Sequence, residues 1–407
     1  MPENWKTYNL SDGIKTIIDY RGKTPRKSPL GIPLISAANI KNGKLDFTKA
    51  SYISQDDYDK WTTRGFTKPN DVLITTEAPV GEVALYPDDG KTYLISRRVI
   101  ALRTDEELLH CKFLLFLLQH KPIFDGLLSN NRGSTVPRVL KTDITGMQLK
   151  LPTYPKQKSI ASILSALDNK IELNLQMNKT LEEMAMALYK HWFVDFGPFQ
   201  DGEFIDSELG EIPKGWEVKQ LKYFALLIMG QSPKSEFYND SKEGLPFHQG
   251  VKDYGIRFPT DITYSTVGNR EAAKGDILFS VRAPVGRLNV AKNKIILGRG
   301  LAAIRMPKFN SFLFYALKRM FVTEDSIGSG TVFNSVNKSD LQNLKFVLPP
   351  ENQLLNFKEL VDPLDKQYLN NSTENQTLTQ LRDTLLPKLI SGEVRVKDAE
   401  KTLTEVL

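Results

Sequence analysis

Basic and polar side chains recur in glycine-containing loops that could hold a phosphate backbone and reach base edges. Residues 21–27, RGKTPRK, and residues 230–234, GQSPK, share a Gly-x-[Ser/Thr]-Pro core. Residues 130–138, NNRGSTVPR, and 328–334, GSGTVFN, form a second glycine-rich pair. Arginine, lysine, asparagine and glutamine read base edges, whereas lysine, arginine, serine and threonine hold phosphates. The loops as groups therefore predict nucleic-acid binding, with solvated surface charge as the alternative for each residue taken singly.

The loops belong to an internal repeat that spans most of the 407-residue chain. Residues 70–81, NDVLITTEAPVG, recur as residues 275–286, GDILFSVRAPVG. Residues 97–103, RRVIALR, recur as residues 299–305, RGLAAIR. Trp5 matches Trp216, and the Leu-Pro pair at 151–152 matches that at 348–349. Several matches in one order predict two equivalent modules.

Net charge alternates with the repeat. Residues 1–150 and 210–350 carry +5 and +8, whereas residues 151–209 and 351–407 carry −4 and −3. Two basic modules suit a polyanionic ligand that is contacted at two places. The charge pattern therefore supports nucleic acid as the ligand.

The candidate DNA contacts are polar residues of these loops and residues beside the repeated strand core, where Ala-Pro-Val-Gly is expected to be a structural turn. In the first module they are Lys23, Thr24, Arg26, Lys27, Asn39, Thr75, Thr76, Arg97, Arg98, Arg132, Ser134 and Arg138. In the second they are Gln231, Ser232, Lys234, Gln249, Lys252, Tyr254, Arg282, Arg299, Ser329, Thr331 and Asn334.

Catalytic chemistry is not predicted for this chain. It has no Gly-x-x-x-x-Gly-Lys-[Ser/Thr] phosphate loop, no Asn/Asp-Pro-Pro-aromatic methyltransferase motif and no convincing nuclease carboxylate cluster. Only Asp71 and Asp276 repeat among the acids, and aspartate before an apolar strand is more often a turn cap. One cysteine and four histidines predict no metal site. A charged N-terminus and the lack of a long apolar run predict a cytoplasmic protein without a membrane segment.

Two segments carry an apolar stripe spaced alternately four and three residues, the seam of a coiled coil. The seam residues are Leu167, Ile171, Asn174, Asn178, Leu181, Leu188, Leu364, Tyr368, Asn371, Asn375, Leu378 and Leu385. Both asparagines recur at matching positions, and a buried asparagine fixes register because only another amide satisfies it. We expect an antiparallel pair of helices with the asparagines near the middle; solvent-facing asparagines are the alternative.

Further residues on the first helix leave apolar surface beyond this seam. They are Met177, Met184, Tyr189, Trp192 and Phe193. Methionine and aromatic side chains are common at protein contacts. These residues are therefore predicted to bind partner proteins.

The coarse pattern predicts an α+β chain: two strand-rich globular domains joined by two long antiparallel helices that form a coiled coil, with pseudo-twofold symmetry. The expected divisions are a first domain at 1–152, a central helix at 153–197 and an acidic linker at 198–212. A second domain at 213–350, a C-terminal helix at 351–392 and a frayed tail at 393–407 follow. Proline removes a helical hydrogen bond, so the second helix is expected to break near Pro363.

The ordered, duplicated set of motifs resembles the DNA specificity subunit of type I restriction–modification systems. The resemblance rests on the paired [Val/Ile]-Leu-x4-Ala-Pro-Val-Gly segments, the Gly-x-[Ser/Thr]-Pro entries and the helical segments LDNKIELN (167–174), LYKHWFVDF (188–196) and LRDTLLPKLISGEV (381–394). It covers residues 1–395, and the proline at 363 departs from it.

The resemblance implies two target-recognition domains, each reading half of a split site in double-stranded DNA. It implies that the helices fix the gap between the halves and dock two methyltransferase subunits, with restriction and motor subunits joining through the complex. S-adenosylmethionine and ATP are then expected on those partners, with no cofactor in this chain. We expect Arg26, Asn39 and Arg138 to read one half-site.

Gln249, Lys252, Tyr254 and Arg282 are expected to read the other half-site. The main alternative function is a non-catalytic protein-binding scaffold built on the same helical pair. Salt-dependent DNA binding would separate the two, because a scaffold would show no sequence preference.

Overall fold

Two units, each with its own globular module, make up the chain. The computed structural model describes residues 5–406 except 21–24, 49, 130–136, 323–325, 328–330 and 333–334. The first unit comprises Met1–Asn174 and Thr373–Leu407, and the second comprises Leu175–Ser372. Each unit therefore contains one module together with about half of each long helix.

The first module is built around an antiparallel sheet of order β2-β10-β7-β8. Residues 72–74 and 99–102 are fully buried, and α2 packs its apolar side chains on this sheet. A smaller sheet has the order β6-β3-β9, and β1 pairs with β11 so that the ends of the module meet. The strands are β1 Lys6–Asn9, β2 Ile14–Asp19, β3 Ile32–Ile35, β4 Ile40–Lys41, β5 Lys44–Leu45, β6 Ser51–Ile53, β7 Val72–Thr76, β8 Val80–Leu85, β9 Leu94–Ile95, β10 Val99–Thr104 and β11 Gln148–Leu151. The helices are α1 Gln55–Trp61, α2 Cys111–Gln119, α3 Lys121–Ser129 and α4 Lys141–Thr145.

The second module repeats this plan. Its central sheet has the order β15-β23-β20-β21, and the pair β14–β26 closes it as β1–β11 closes the first. Its other sheet is larger, with the order β16-β18-β17-β22-β19. The strands are β14 Glu217–Gln220, β15 Leu226–Met229, β16 Tyr238–Asn239, β17 Leu245–His248, β18 Tyr264–Ser265, β19 Glu271–Ala272, β20 Ile277–Ser280, β21 Leu288–Val290, β22 Ile295–Leu297, β23 Leu301–Arg305, β24 Ser326–Ile327, β25 Thr331–Val332 and β26 Lys345–Leu348. The helices are α6 Asn310–Met320 and α7 Lys338–Gln342.

The repeated Ala-Pro-Val-Gly segment is a tight turn in both modules. The peptide bonds before Pro79 and Pro284 are cis, and Gly81 and Gly286 have φ values of +80° and +84°. A Cβ on Gly81 would lie 2.7 Å from the ring of Phe124. Glycine is required there because other residues avoid this backbone region and because helix α3 leaves no space.

The repeated aspartates cap turns and hold arginines of the neighbouring strand. The Asp71 carboxylate accepts from the Lys68 backbone N–H at 2.7 Å and from Arg103 at 2.8 Å. Asp276 accepts from the Ala273 N–H at 2.8 Å and makes the equivalent ion pair with the arginine at 305. Their recurrence is therefore structural.

Two long helices complete the chain: α5, Tyr154–Phe193, and α8, Glu351–Ser391. The predicted break near Pro363 is wrong, because α8 continues through it. Pro363 is exposed, while Val361 is buried and Leu364 is half-buried in the second unit. Packing of this face holds the helix together across the missing backbone hydrogen bond. The helix ends at Ser391, one residue before the predicted end, and Gly392 follows it with a φ of +74°.

The two segments that were expected to lack regular structure are folded. The expected acidic linker contains the paired strands β12, Phe204–Ile205, and β13, Ile212–Pro213, and Ile212 is buried in the core of the second unit. The expected frayed tail forms helix α9, Val396–Val406, which buries Ala399 in the first unit. Apolar residues within polar segments make both packings possible.

The predicted seam residues are buried or half-buried in both units. In the first unit, the Nδ2 of Asn174 donates to the Oδ1 of Asn375 at 2.9 Å. In the second, the Nδ2 of Asn371 donates to the Oδ1 of Asn178 at 3.0 Å. The residue numbers of the partners run in opposite directions, so α5 and α8 pack antiparallel, and the amides pair with each other as register-fixing asparagines do.

Candidate nucleic-acid interface

Three segments of the first module meet where strand β7 ends. The Thr76 backbone N–H donates to the Arg98 carbonyl at 2.9 Å, and the Val139 N–H donates to the Thr76 carbonyl at 3.1 Å. Next to them, Glu77 forms a β-bridge with Arg138, and its carboxylate lies 3.4 Å from the Arg98 Nε. We call Thr76, Arg98 and Val139 the first strand-end junction; Arg138 and the neighbouring arginine at 97 are exposed beside it.

The second module has the same junction. The Val281 N–H donates to the Gly300 carbonyl at 3.0 Å, and the Val336 N–H donates to the Val281 carbonyl at 2.9 Å. Arg282 forms a β-bridge with Ser335, as Glu77 does with Arg138 in the first module. Val281, Gly300 and Val336 are the second strand-end junction, and Arg282 is exposed next to it.

In the second module, further predicted contacts converge on this junction. The Gln231 N–H donates to the Leu297 carbonyl at 2.9 Å, and the Ser232 hydroxyl accepts from the Arg299 N–H at 3.1 Å. Gln231, Lys234 and Arg299 are exposed. The predicted loop 230–234 and the arginine at 299 therefore form one basic and polar surface.

A third loop reaches the same surface through close backbone contacts. The Gly300 N–H donates to the Gln249 carbonyl at 3.0 Å. A Cβ on Gly300 would lie 2.6 Å from that carbonyl oxygen, so the approach requires glycine. The side chains of Gln249 and Lys252 are exposed. The structure thus brings the predicted contacts of three separate segments together in the second module.

A buried histidine precedes Gln249 in the chain and pairs with a partly exposed aspartate. His248 is fully buried, with its Nε2 2.9 Å from the Asp261 carboxylate. The Asn293 amide donates to the same carboxylate at 3.1 Å. Burial acts to raise the pKa of Asp261, but the hydrogen bonds from His248 and Asn293 outweigh it and lower the pKa below its ordinary value. Asp261 is therefore held as a carboxylate.

Two predicted DNA contacts of the first module are buried structural residues, so those predictions are wrong. The Thr75 hydroxyl accepts from the Glu82 N–H at 2.9 Å inside the sheet. The Asn39 amide accepts from the Ser36 N–H at 3.0 Å and donates to the Asp46 carbonyl at 2.8 Å. Both polar groups satisfy the backbone of their own turn, which is a common use of such residues.

Tyr254 is a third wrong prediction. Its ring packs in the core of the second module with Ala272 and Leu278. A β-bridge between Tyr254 and Pro259 folds its loop back on itself. Tyr254 was expected to read the second half-site, whereas its ring is buried.

The remaining loop predictions are only partly described. Arg26 and Lys27 are exposed just before Ser28, which bridges to Tyr52. Thr331 lies in β25, with its side chain outside the described part. The other predicted contacts outside the described residues are Lys23, Thr24, Arg132, Ser134, Ser329 and Asn334.

The predicted partner surface of α5 divides into an exposed and a buried part. Met177 and Met184 are 40% and 48% exposed. Tyr189 and Phe193 are buried in the second unit's core, so their prediction as surface residues is wrong; Trp192 is half-buried against the same core. Helix α6 and the start of α8 cover this end of α5. The apolar pattern of the α5 sequence alone could not indicate that these helices pack there. Exposed apolar residues of the two long helices that were not predicted from the sequence include Leu173, Leu355 and Leu360.

Within the described residues, no group of three or more His, Cys, Asp or Glu side chains could hold a metal ion. In that same part of the chain, no helix is long and apolar enough to cross a membrane.

Comparison with known proteins agrees with this architecture. Residues 2–183 and 213–382 match the model of the type I restriction modification DNA specificity domain. A protein of Methanocaldococcus jannaschii, provisionally named the MjaX specificity subunit of a type I restriction enzyme, is 32% identical over 98% of this chain and 95% of its own. The type I restriction enzyme HindI specificity subunit of Haemophilus influenzae is 25% identical over 96% of this chain and 100% of its own.

A solved structure shows the same fold. The S subunit of a type I restriction–modification system from M. genitalium has a TM-score of 0.60 with this chain at 16% identity, covering 95% of this chain and 96% of that one. Together with the duplicated family match, this agrees with the two-module plan described above.

Proposed function

Because the chain belongs to the family of type I restriction–modification DNA specificity domains, we propose that each of its two modules reads one half of a bipartite DNA target. The chain is a specificity subunit, with a non-catalytic role in DNA target recognition. A split target whose two halves differ in sequence needs two readers that carry different side chains.

The observation that carries the proposal is the shared strand-end junction. The same two backbone hydrogen bonds occur at Thr76 and at Val281, so the scaffold is equivalent in the two modules. The exposed side chains beside it differ: Arg138 forms the bridge in the first module, whereas Ser335 does so in the second. Equivalent backbones with different side chains suit the reading of two different base sequences.

The reader of the second half-site is the surface at the second junction. Gln249 and Gln231 supply amides that can pair with adenine, and Arg282 and Arg299 supply guanidinium groups that can pair with guanine. Lys234 and Lys252 supply positive charge for phosphates. In the first module the corresponding readers are three arginines and one threonine: Arg97, Arg98, Arg138 and Thr76.

The helices serve assembly in this proposal. The apolar surface at Met177 and Met184 binds methyltransferase subunits, through which restriction and motor subunits join. S-adenosylmethionine and ATP then bind to those partners. The net charges support this assignment of DNA binding to the modules and of assembly to the helices, since the modules are basic and the helical segments are acidic.

A module exchange tests the proposal. Residues 1–152 are replaced by the matching part of the MjaX relative, and the DNA selected by the full-length chain from a random duplex library is sequenced. We expect one half-site to change and the other to stay. Gln249→Ala should weaken base preference in the unchanged half only, with the exposed Lys214→Ala as the control substitution. A change in both half-sites after the exchange, or in neither, would refute modular reading.

A further inference from the structure

The loop Gln249–Thr260 connects the surface of the second module with helix α8. Its first part carries the exposed Gln249 and Lys252. Near its other end, Arg257 is only 6% exposed although it carries a charge. A charged side chain of this kind is rarely buried without a defined set of partners.

Arg257 is held by two groups that also bind each other. Its Nη2 donates to the Asp365 carboxylate on α8 at 2.6 Å, and its Nη1 donates to the Tyr315 hydroxyl at 3.1 Å. That hydroxyl donates to the same carboxylate oxygen at 2.7 Å. The planar guanidinium is thus fixed in direction by two hydrogen bonds, and the third, between its two partners, closes a triangle.

Aromatic rings enclose the guanidinium on its remaining sides. Its central carbon lies 4.5 Å from the ring centroid of Phe314 on α6 and 4.8 Å from that of Tyr368 on α8. Phe258, the next residue of the loop, packs edge-on against the same tyrosine at 5.9 Å. This enclosure leaves Arg257 unable to contact DNA, so any effect on recognition must act through other residues.

The loop is also tied to itself and to the sheet. The Gly255 N–H donates to the Phe258 carbonyl at 3.1 Å, and the Thr260 N–H donates to the Asp253 carbonyl at 2.8 Å. The Arg257 carbonyl accepts from the N–H of residue 290 in β21 at 2.8 Å. The loop therefore behaves as one stiff piece between α8 and the predicted base readers.

Burial of this ion pair is poorly explained by stability alone. Apolar residues of similar shape often stabilise a protein as well as a buried ion pair does, but they fix the relative orientation of the contacting segments less strictly. In the first unit, the ion pair between Lys44 and Glu172 of α5 has both side chains about half exposed, 45% and 46%. The ion pair of Arg257 with Asp365, whose side chains are 5% and 18% exposed, is therefore much more buried than this pair of the first unit.

We propose that Arg257 is a positioning residue for DNA recognition: it fixes the loop Gln249–Thr260 on helix α8 and so sets which gap between the two half-sites the subunit accepts. The inference rests on the proposed bipartite reading. Changing the gap by one base pair moves the second half-site by about 3.4 Å along the DNA. A stiffly held reader loses its base contacts on such a shift, whereas a loosely held reader follows it.

The decisive variant replaces the whole triangle by apolar groups, Arg257→Met/Tyr315→Phe/Asp365→Leu. It leaves no uncompensated buried charge, so the chain should fold. The full-length protein is used to select duplexes from a random library, and enriched sequences give both the half-sites and the gap. We expect the wild type to prefer one gap by about tenfold or more, the loss typical of a mismatched base pair. The variant should keep both half-site sequences but discriminate neighbouring gaps by about threefold or less.

Two further variants complete the test. Arg257→Lys keeps the charge but loses the planar fork, and it should broaden the gap preference to an intermediate degree. Lys294→Met removes the exposed ion pair with Glu271 in the same module, leaves no buried charge without a partner, and should leave the preferred gap unchanged.

An unchanged gap preference in the folded triple variant and in Arg257→Lys would overturn the inference. So would an altered base sequence in the second half-site, because Arg257 would then act on reading itself. Enrichment of no split motif by the wild type would refute the proposed function, and with it this inference.

Discussion

The asparagine pair of the second unit offers the sharpest test of how the helices find their register. Asn178 and Asn371 are both buried. The Nδ2 of Asn371 donates to the Oδ1 of Asn178, and the Nδ2 of Asn178 donates to the Ser372 hydroxyl at 3.1 Å. Replacing either asparagine by leucine leaves a buried polar group of the other without its partner. Replacing both leaves no orphaned amide at this level of the seam.

The expected magnitude follows from the cost of a buried polar group without a hydrogen bond, about 1–3 kcal/mol. For a unit of about 200 residues, 1 kcal/mol shifts the melting temperature by about 2–4 °C. Asn178→Leu and Asn371→Leu should each lower the melting temperature of the second unit by roughly 2–12 °C. The double variant should recover most of that loss, with a coupling free energy on the order of 2 kcal/mol.

Differential scanning calorimetry of the wild type, both single variants and the double variant measures this cycle. Asn370→Leu is the matched control, since the neighbouring Asn370 is exposed on the same helix and should change the melting temperature little. Single variants that melt within about 1 °C of the wild type would contradict the reasoning. Equal losses that simply add in the double variant would show that the two amides do not depend on each other.

Two further predictions concern the helix surface and Asp261. Met177→Glu/Met184→Glu should abolish co-purification with methyltransferase subunits, and it should not change the melting temperature because both side chains are exposed. The control variant Met177→Leu/Met184→Leu should retain co-purification. Co-purification of the glutamate variant would refute the assignment of this surface to partner binding. Because the pKa of Asp261 is lowered on folding, its ionised form contributes stability above its ordinary pKa, and this contribution is lost as pH falls below about 4. Asp261→Asn should therefore melt lower than the wild type at pH 6, with the difference shrinking as pH falls in a thermal titration; a difference independent of pH would contradict it.

The repeat made much of the fold predictable because its signals are local. Asp71 and Asp276 cap the same turn, and glycines 81 and 286 meet the same requirement for positive φ. Seven-residue spacing likewise predicted which faces of α5 and α8 are buried. These features depend only on residues that are close together in the chain. Each copy of the repeat therefore supports the structure predicted for the other copy.

The failed predictions depend on partners distant in sequence. Asn39 and Thr75 have side chains suited to reading DNA, yet their own turns and strands use those groups. Tyr189 and Phe193 lie outside the two-helix seam, but α6 and α8 cover them. The residues next to Arg257 in the sequence do not predict that its side chain is buried, because its hydrogen-bond partners lie 58 and 108 positions away.

The position of the asparagine pairs explains how two long helices can be aligned without ambiguity. A leucine seam repeats every seven residues, so an apolar stripe alone tolerates a slip of one heptad. After such a slip, Asn174 would face position 368 or 382, occupied by tyrosine and arginine, instead of Asn375. The four buried amides would then lack partners, at a cost of about 4–12 kcal/mol. That cost is comparable to the whole stability of a domain, about 5–15 kcal/mol. One pair lies in each unit, so within each unit the paired asparagines, more than the leucines, specify the alignment of that unit's own helical segments.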